Sequence, residues 1–192
     1  MKNTFFILSL IVSQTAISQV IFGDAIGTVP AGQKSSVLLE FAAGQNKGLI
    51  LPYVRSLPSG NGLVEGTIVL DATNITDAKI KYYNGVVSGG GSDGWFDLSN
   101  GRGSDLSVPL SVQPSALQVT ENTLSKVIIG AGQSSADGVL VLESDSKALV
   151  LPIVASTNDV IDPAPGMMVY LNRTGAKRLA VYNGNVWTYW KP

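Results

Sequence analysis

The residue types that do chemistry are sparse in this 192-residue chain, which contains no histidine and no cysteine. Their absence removes the commonest general base, the commonest metal ligand and the thiolate nucleophile together. A nucleophilic site would then need Ser–Lys or carboxylate chemistry. Ser144 and Lys147 have Ser-x-x-Lys spacing but fall between two predicted strands, not at the start of a helix, so they read as a turn. Glycoside hydrolysis needs two carboxyl groups facing each other across a cleft. Glu40 and Glu143 are read instead as equivalent positions of two duplicated segments, with structural or surface roles. Asp93, Asp97, Glu143 and Asp145 offer oxygen ligands, but none sits in the alternating acidic loop of a hand-type calcium site. The run Gly89-Gly90-Gly91-Ser92-Asp93-Gly94 lacks the Lys-Ser/Thr and the helix of a phosphate cradle and reads as a flexible hairpin tip. No catalytic residue, metal ligand or cofactor is expected, and the chain reads as no enzyme.

Aromatic side chains are the remaining candidates. Tyr82, Tyr83, Trp95, Tyr182, Trp187, Tyr189 and Trp190 gather near the ends of two similar segments. Exposed, they would stack on sugar rings or anchor a protein interface. Trp95 and Trp187 recur in both segments and are expected to close a core. Tyr189 and Trp190 occur only in the second, so Trp187, Tyr189 and Trp190 form the candidate ligand-binding set.

What positions these residues is an internal repeat. Lys47-Gly48-Leu49-Ile50-Leu51-Pro52-Tyr53-Val54 returns as Lys147-Ala148-Leu149-Val150-Leu151-Pro152-Ile153-Val154, 100 residues on. Gly66 to Leu70 matches Gly166 to Tyr170 at the same offset, and Lys79 to Gly85 matches Arg178 to Gly184 at 99. Upstream, Val20-Ile21-Phe22-Gly23 corresponds to Val127-Ile128-Ile129-Gly130, and Val37-Leu38-Leu39-Glu40 to Leu140-Val141-Leu142-Glu143. Blocks in one order at nearly one offset indicate duplication.

The blocks are short, rich in Val, Ile, Leu and Tyr, and bounded by Gly, Asn, Asp and Pro, which are strand and turn signals. Pro52 and Pro152 are expected to end a strand or lie on an edge. The pairs Asn84-Gly85 and Asn183-Gly184 predict positive φ at both central turn positions, with a tight hairpin in the second copy. The fold class is therefore all-β: two tandem small β modules of about five strands each, joined by a linker. The modules span residues 19–99 and 127–192. The linker, 100–126, is rich in Ser, Gly and Asn and reads as extended or irregular, with a short strand suggested by alternation of Leu106, Val108, Leu110 and Val112.

Residues 1–18 read as a signal peptide: Lys2, an apolar run from Phe5 to Val12, and small side chains at Ala16 and Ser18. That run is too short to span a bilayer, and no transmembrane segment is expected in the mature chain. The protein is expected to be exported, to the periplasm, the cell surface or the exterior. With no disulfides, its stability must come from core burial, module packing or association. A formal net charge of −1 without basic clusters gives no reason to expect nucleic acid.

The order Lys-Gly-Leu-Ile-Leu-Pro, Gly-x-Ile/Met-Val-Leu/Tyr, Tyr-Asn-Gly and Trp resembles a repeat of exported Bacteroidota proteins, similar to stretches in phage tail-fibre-like proteins. Where members of that family often carry Arg after the Pro step, Tyr53 and Ile153 stand here. The resemblance implies a surface or fibre-like structural module, sometimes oligomeric, and no reaction. The reading is an exported non-enzymatic structural or adhesive module that self-associates. The alternative is a carbohydrate-binding module using the C-terminal aromatics. The partners these readings admit are a second copy of the chain, a surface glycan or a protein.

Overall fold

The computed structural model describes residues 20–23, 26–87, 93–113, 119–120, 122 and 124–190. The expected signal peptide lies outside the described residues, as do residues 89–92 of the glycine-rich tip. The described chain is almost entirely β. Its first copy holds β1 (Val20–Phe22), β2 (Val37–Phe41), β3 (Leu49–Ile50), β4 (Tyr53–Val54), β5 (Ile68–Asp71), β6 (Lys79–Tyr83) and β7 (Trp95–Asp97). The second holds β8 (Val127–Ile129), β9 (Leu140–Leu142), β10 (Ala148–Leu149), β11 (Ile153–Val154), β12 (Met167–Leu171), β13 (Arg178–Tyr182) and β14 (Trp187–Trp190). Each copy thus has seven short strands among the described residues, not about five; the Pro52 and Pro152 steps account for one of the added strands by splitting a block into two.

The repeat is visible in the register of pairing. In the first copy β4 runs parallel to β5 with Tyr53 opposite Leu70, and β5 runs antiparallel to β6 with Leu70 opposite Ile80. In the second, Ile153 stands opposite Tyr170, and Tyr170 opposite Leu179. The offsets of 100 and 99 recur residue by residue. The prolines act alike too, the Pro52 carbonyl accepting from Leu70 N–H at 2.9 Å and that of Pro152 from Tyr170 N–H at 2.8 Å. At the start of each copy the register corrects the expected alignment. Val20 pairs with Leu39 and Val127 with Leu140, so the counterpart of Glu40 is Val141, not Glu143. The shared Leu-Glu spelling is displaced by two residues relative to the parallel ladder.

The copies interlock through strands. β10 adds to β2 in parallel, with Leu149 opposite Leu39, and β3 adds antiparallel to β12, with Leu49 opposite Met168. The faces then pack. Leu70, Ile80 and Leu98 of the first sheet and Met168 and Val181 of the second share one buried core with Leu51, and Leu151 and Trp190 lie against it. A second core, with Val154, Val169, Leu171 and Ala180, lies on the far face of the second sheet, where Val160 and Ala164 cover it.

The strand suggested within the linker is not formed. Ser107–Ser111 is one α-helical turn (α1). Leu106 and Leu110, four apart and so on one face of such a turn, are 0% and 5% exposed in the shared core, while Val108 and Val112 point to solvent. Alternating apolar residues satisfied both periods, and the core took the helical one. Pro109 is tolerated in a first turn, where its missing N–H has no intrahelical acceptor. The Asp105 carboxylate accepts from Ser107 N–H at 2.8 Å.

Candidate functional site in the C-terminal strand

β14 carries the candidate aromatic set, and strand alternation divides it. Trp187 and Tyr189 share one face; Thr188 and Trp190 share the other. Trp187 packs against Tyr182 at 5.2 Å between ring centres, on the edge of the second core. Tyr83 and Trp95, 5.3 Å apart, are the same pair in the first copy. The two tryptophans therefore finish equivalent sheet corners, each half-buried. Trp190 turns to the first copy. Its indole N–H donates to the Leu98 carbonyl at 2.9 Å and its ring meets Phe96 edge-on at 5.6 Å. The buried Thr188 hydroxyl donates to that same carbonyl at 2.7 Å. Of the three aromatics, only Tyr189 is open to solvent, at 45% exposure.

Tyr189 lines a shallow cleft of about 290 Å³ whose wall includes Thr157, Asn158, Arg173 and Arg178. Its hydroxyl is 2.9 Å from Thr157 Oγ1, and the Arg178 guanidinium lies 5.7 Å from its ring centre. A cation above a tyrosine face is attracted by the ring quadrupole. The cleft therefore presents one aromatic face, two guanidinium groups and a hydroxyl pair, a surface suited to hydroxyl-rich or anionic groups. Sequence reasoning did not single out Arg173, Arg178 or Thr157. Arg178 was visible only as the counterpart of Lys79, and the approach of Thr157 depends on the fold.

The hairpin before β14 forms with a different turn. Tyr182 pairs with Trp187, leaving a four-residue loop. Gly184 adopts φ +109°, but Asn183 is not among the non-glycine residues with positive φ. Asn183 is buried, and its side-chain carbonyl accepts from Asn185 N–H and Val186 N–H at 3.0 Å each. Its amide donates to the Arg102 carbonyl, so the turn ties the second copy to the linker just after β7.

The other chemically suggestive residues have local partners. Ser144 Oγ accepts from Lys147 N–H at 2.9 Å, closing the expected turn with a backbone donor. Glu40 is fully buried; it accepts from Val29 N–H at 2.8 Å and faces Lys34 Nζ at 3.3 Å, holding the 26–36 loop over β2. Glu143 accepts from the Ser134 hydroxyl. Asp97 accepts from Ser99 N–H at 2.6 Å and Gly101 N–H at 2.8 Å, and Asp93 from Trp95 N–H at 3.1 Å. Among the described residues no group of three or more His, Cys, Asp or Glu could hold a metal ion. No helix among them is long and apolar enough to cross a membrane.

Residues 128–192 match the model of a family described as a phage tail like trimerisation region. The match runs from β8 through β14 and agrees with the resemblance to phage tail-fibre-like proteins. No curated protein and no solved structure matches the chain.

Proposed function

We propose that the protein is an exported, non-enzymatic structural module that works by self-association, at the cell surface, outside the cell or in the periplasm. One observation carries this reading: the second module matches a family model named for trimerisation. The interlocked architecture supports it, since short strands completed by another copy of the repeat suit assembly better than catalysis. Sedimentation or light scattering on the chain from residue 19 onward, which holds every described element, tests it. An assembly of three chains is the expected result, and a single-chain mass at high concentration overturns it.

Adhesion through a glycan is the second reading, favoured by the solvent-facing Tyr189 ring beside Arg173 and Arg178. Trp187 and Trp190 would support that surface by holding β14 in place. Retention on immobilised polysaccharide that is lost in Tyr189→Ala would sustain it; equal retention by both proteins, or none by either, would remove it.

A further inference from the structure

One strand type is used in two ways in this molecule, and each use leaves the other open. β3 and β10 are equivalent segments of the repeat, yet β3 pairs antiparallel with β12 and β10 pairs parallel with β2. Backbone N–H groups alternate between the two edges of a strand. Leu51 N–H donates to the Gly166 carbonyl at 3.1 Å, on the edge facing β12. Val150 N–H, one step earlier in the repeat, donates to the Leu39 carbonyl at 2.8 Å, on the edge facing β2. The two contacts therefore occupy opposite edges of the same repeated segment. They are mutually compatible.

Among the described residues the complementary edges carry no strand. β9, the counterpart of β2, pairs only with β8. Leu38 and Leu39 of β2 are 2% and 1% exposed, whereas their counterparts Val139 and Leu140 are 62% and 40% exposed. The start of β5 is bare in the same way. β3 pairs with β12 at Met167 and Met168, whereas β4 reaches β5 only at Leu70 and Asp71; the counterparts Thr67 and Ile68 are half-buried, and Gly66 is exposed where Gly166 is buried. Ile50, on the unpaired edge of β3, is 51% exposed. Open edges bearing apolar side chains recruit further strands.

We propose that these edges receive a second copy of the chain, repeating between copies the two strand pairings that join the modules within one, while the inner sheet faces stay packed in each chain's own shared core. β3 of the incoming copy lies along β9 with its Leu49 opposite Leu140, while its Thr67 and Ile68 lie opposite Val150 and Leu149 of β10. The occupant is fixed by the repeat, because β3 and the Gly66–Ile68 segment are the counterparts of the segments already making this contact. The contact is head-to-tail, so each added copy presents the same open edges again until the assembly closes. This rests on the self-association proposed above and specifies its surface.

The absence of native cysteine makes disulfide trapping a clean test. The antiparallel pair of Thr67 and Val150 matches that of Ile50 and Met167, which flanks the hydrogen-bonded Leu51–Gly166 step. Such non-hydrogen-bonded pairs bring Cα atoms to about 4.5 Å, within disulfide reach. Thr67→Cys protein mixed with Val150→Cys protein under mild oxidation should give a linked species of twice the chain mass that neither variant gives alone. Leu49→Cys mixed with Leu140→Cys probes the parallel contact independently, in case the first pair perturbs folding. If the unmodified chain associates but neither mixture links, this surface is wrong and self-association stands. If the unmodified chain is a monomer at high concentration, both proposals fall.

Discussion

The two sheets share a ladder and differ in what lies on their outer faces. In the first, Asp71 and Lys81 form an ion pair at 2.9 Å beside the buried Val69. At the matched places the second sheet has Leu171 and Ala180 beside Val169, all within the second core. The inner faces are apolar in both, because they meet in the shared core. An antiparallel ladder needs only one covered face, and the other is free to be polar or to acquire a second cover. The second copy took that cover from its own 155–165 loop, through Val160 and Ala164. The two repeats thus share their backbone pairing while their side-chain chemistry differs.

The sharpest way to break this comparison is to give the second sheet the first sheet's charge. Leu171→Asp places a carboxylate in the second core with Ala180 where Lys81 would be, and should cost roughly 3–5 kcal/mol, the range for an uncompensated buried charge. Urea unfolding measures it. Adding Ala180→Lys should recover part of the loss; no recovery would mean the two faces are not interchangeable environments.

Next in size is the contact between the copies. Trp190→Ala removes an indole packed against Phe96 and should lower stability by about 2–4 kcal/mol, less than a fully buried tryptophan because the side chain is only partly buried. Tyr189→Ala, on the solvent side of the same strand, should lose only about 1 kcal/mol with its hydrogen bond. Comparable losses from the two variants, read from their unfolding midpoints, would contradict the division of β14 into a packed face and an open one. Thr188→Val keeps the shape but deletes one donor to the Leu98 carbonyl, and should cost about 1 kcal/mol. The Trp190 donor remains in that variant.

The smallest expected effect is acid-dependent. Burial pulls the Asp71 carboxyl upward, but hydrogen bonds from Thr73 and Lys81 and the Lys81 charge outweigh it, so its pKa lies below the ordinary value. A depressed folded-state pKa means the stabilisation is present above the ordinary carboxylate range and is lost as pH falls through the lowered value. Asp71→Asn should therefore flatten the acid limb of the stability profile, by less than about 1 kcal/mol because the pair is partly solvated. An unchanged acid limb would show that the ion pair contributes nothing measurable.

The sequence alone determined the all-β character, the repeat and its 100- and 99-residue offsets, because strand propensity, turn residues and block order are local properties. It also determined which chemistry was scarce, since a missing residue type needs no fold to be read. Tertiary structure decided the rest. Only strand register showed that Glu40 answers to Val141, because a two-residue shift leaves the local pattern intact. Only the core chose a helical turn for Leu106 and Leu110, whose spacing fits both periods. Which edge of a two-residue strand is paired, and which of Tyr189 and Trp190 faces water, depends on neighbours about 90 residues or more away in the chain. No local pattern carries that information.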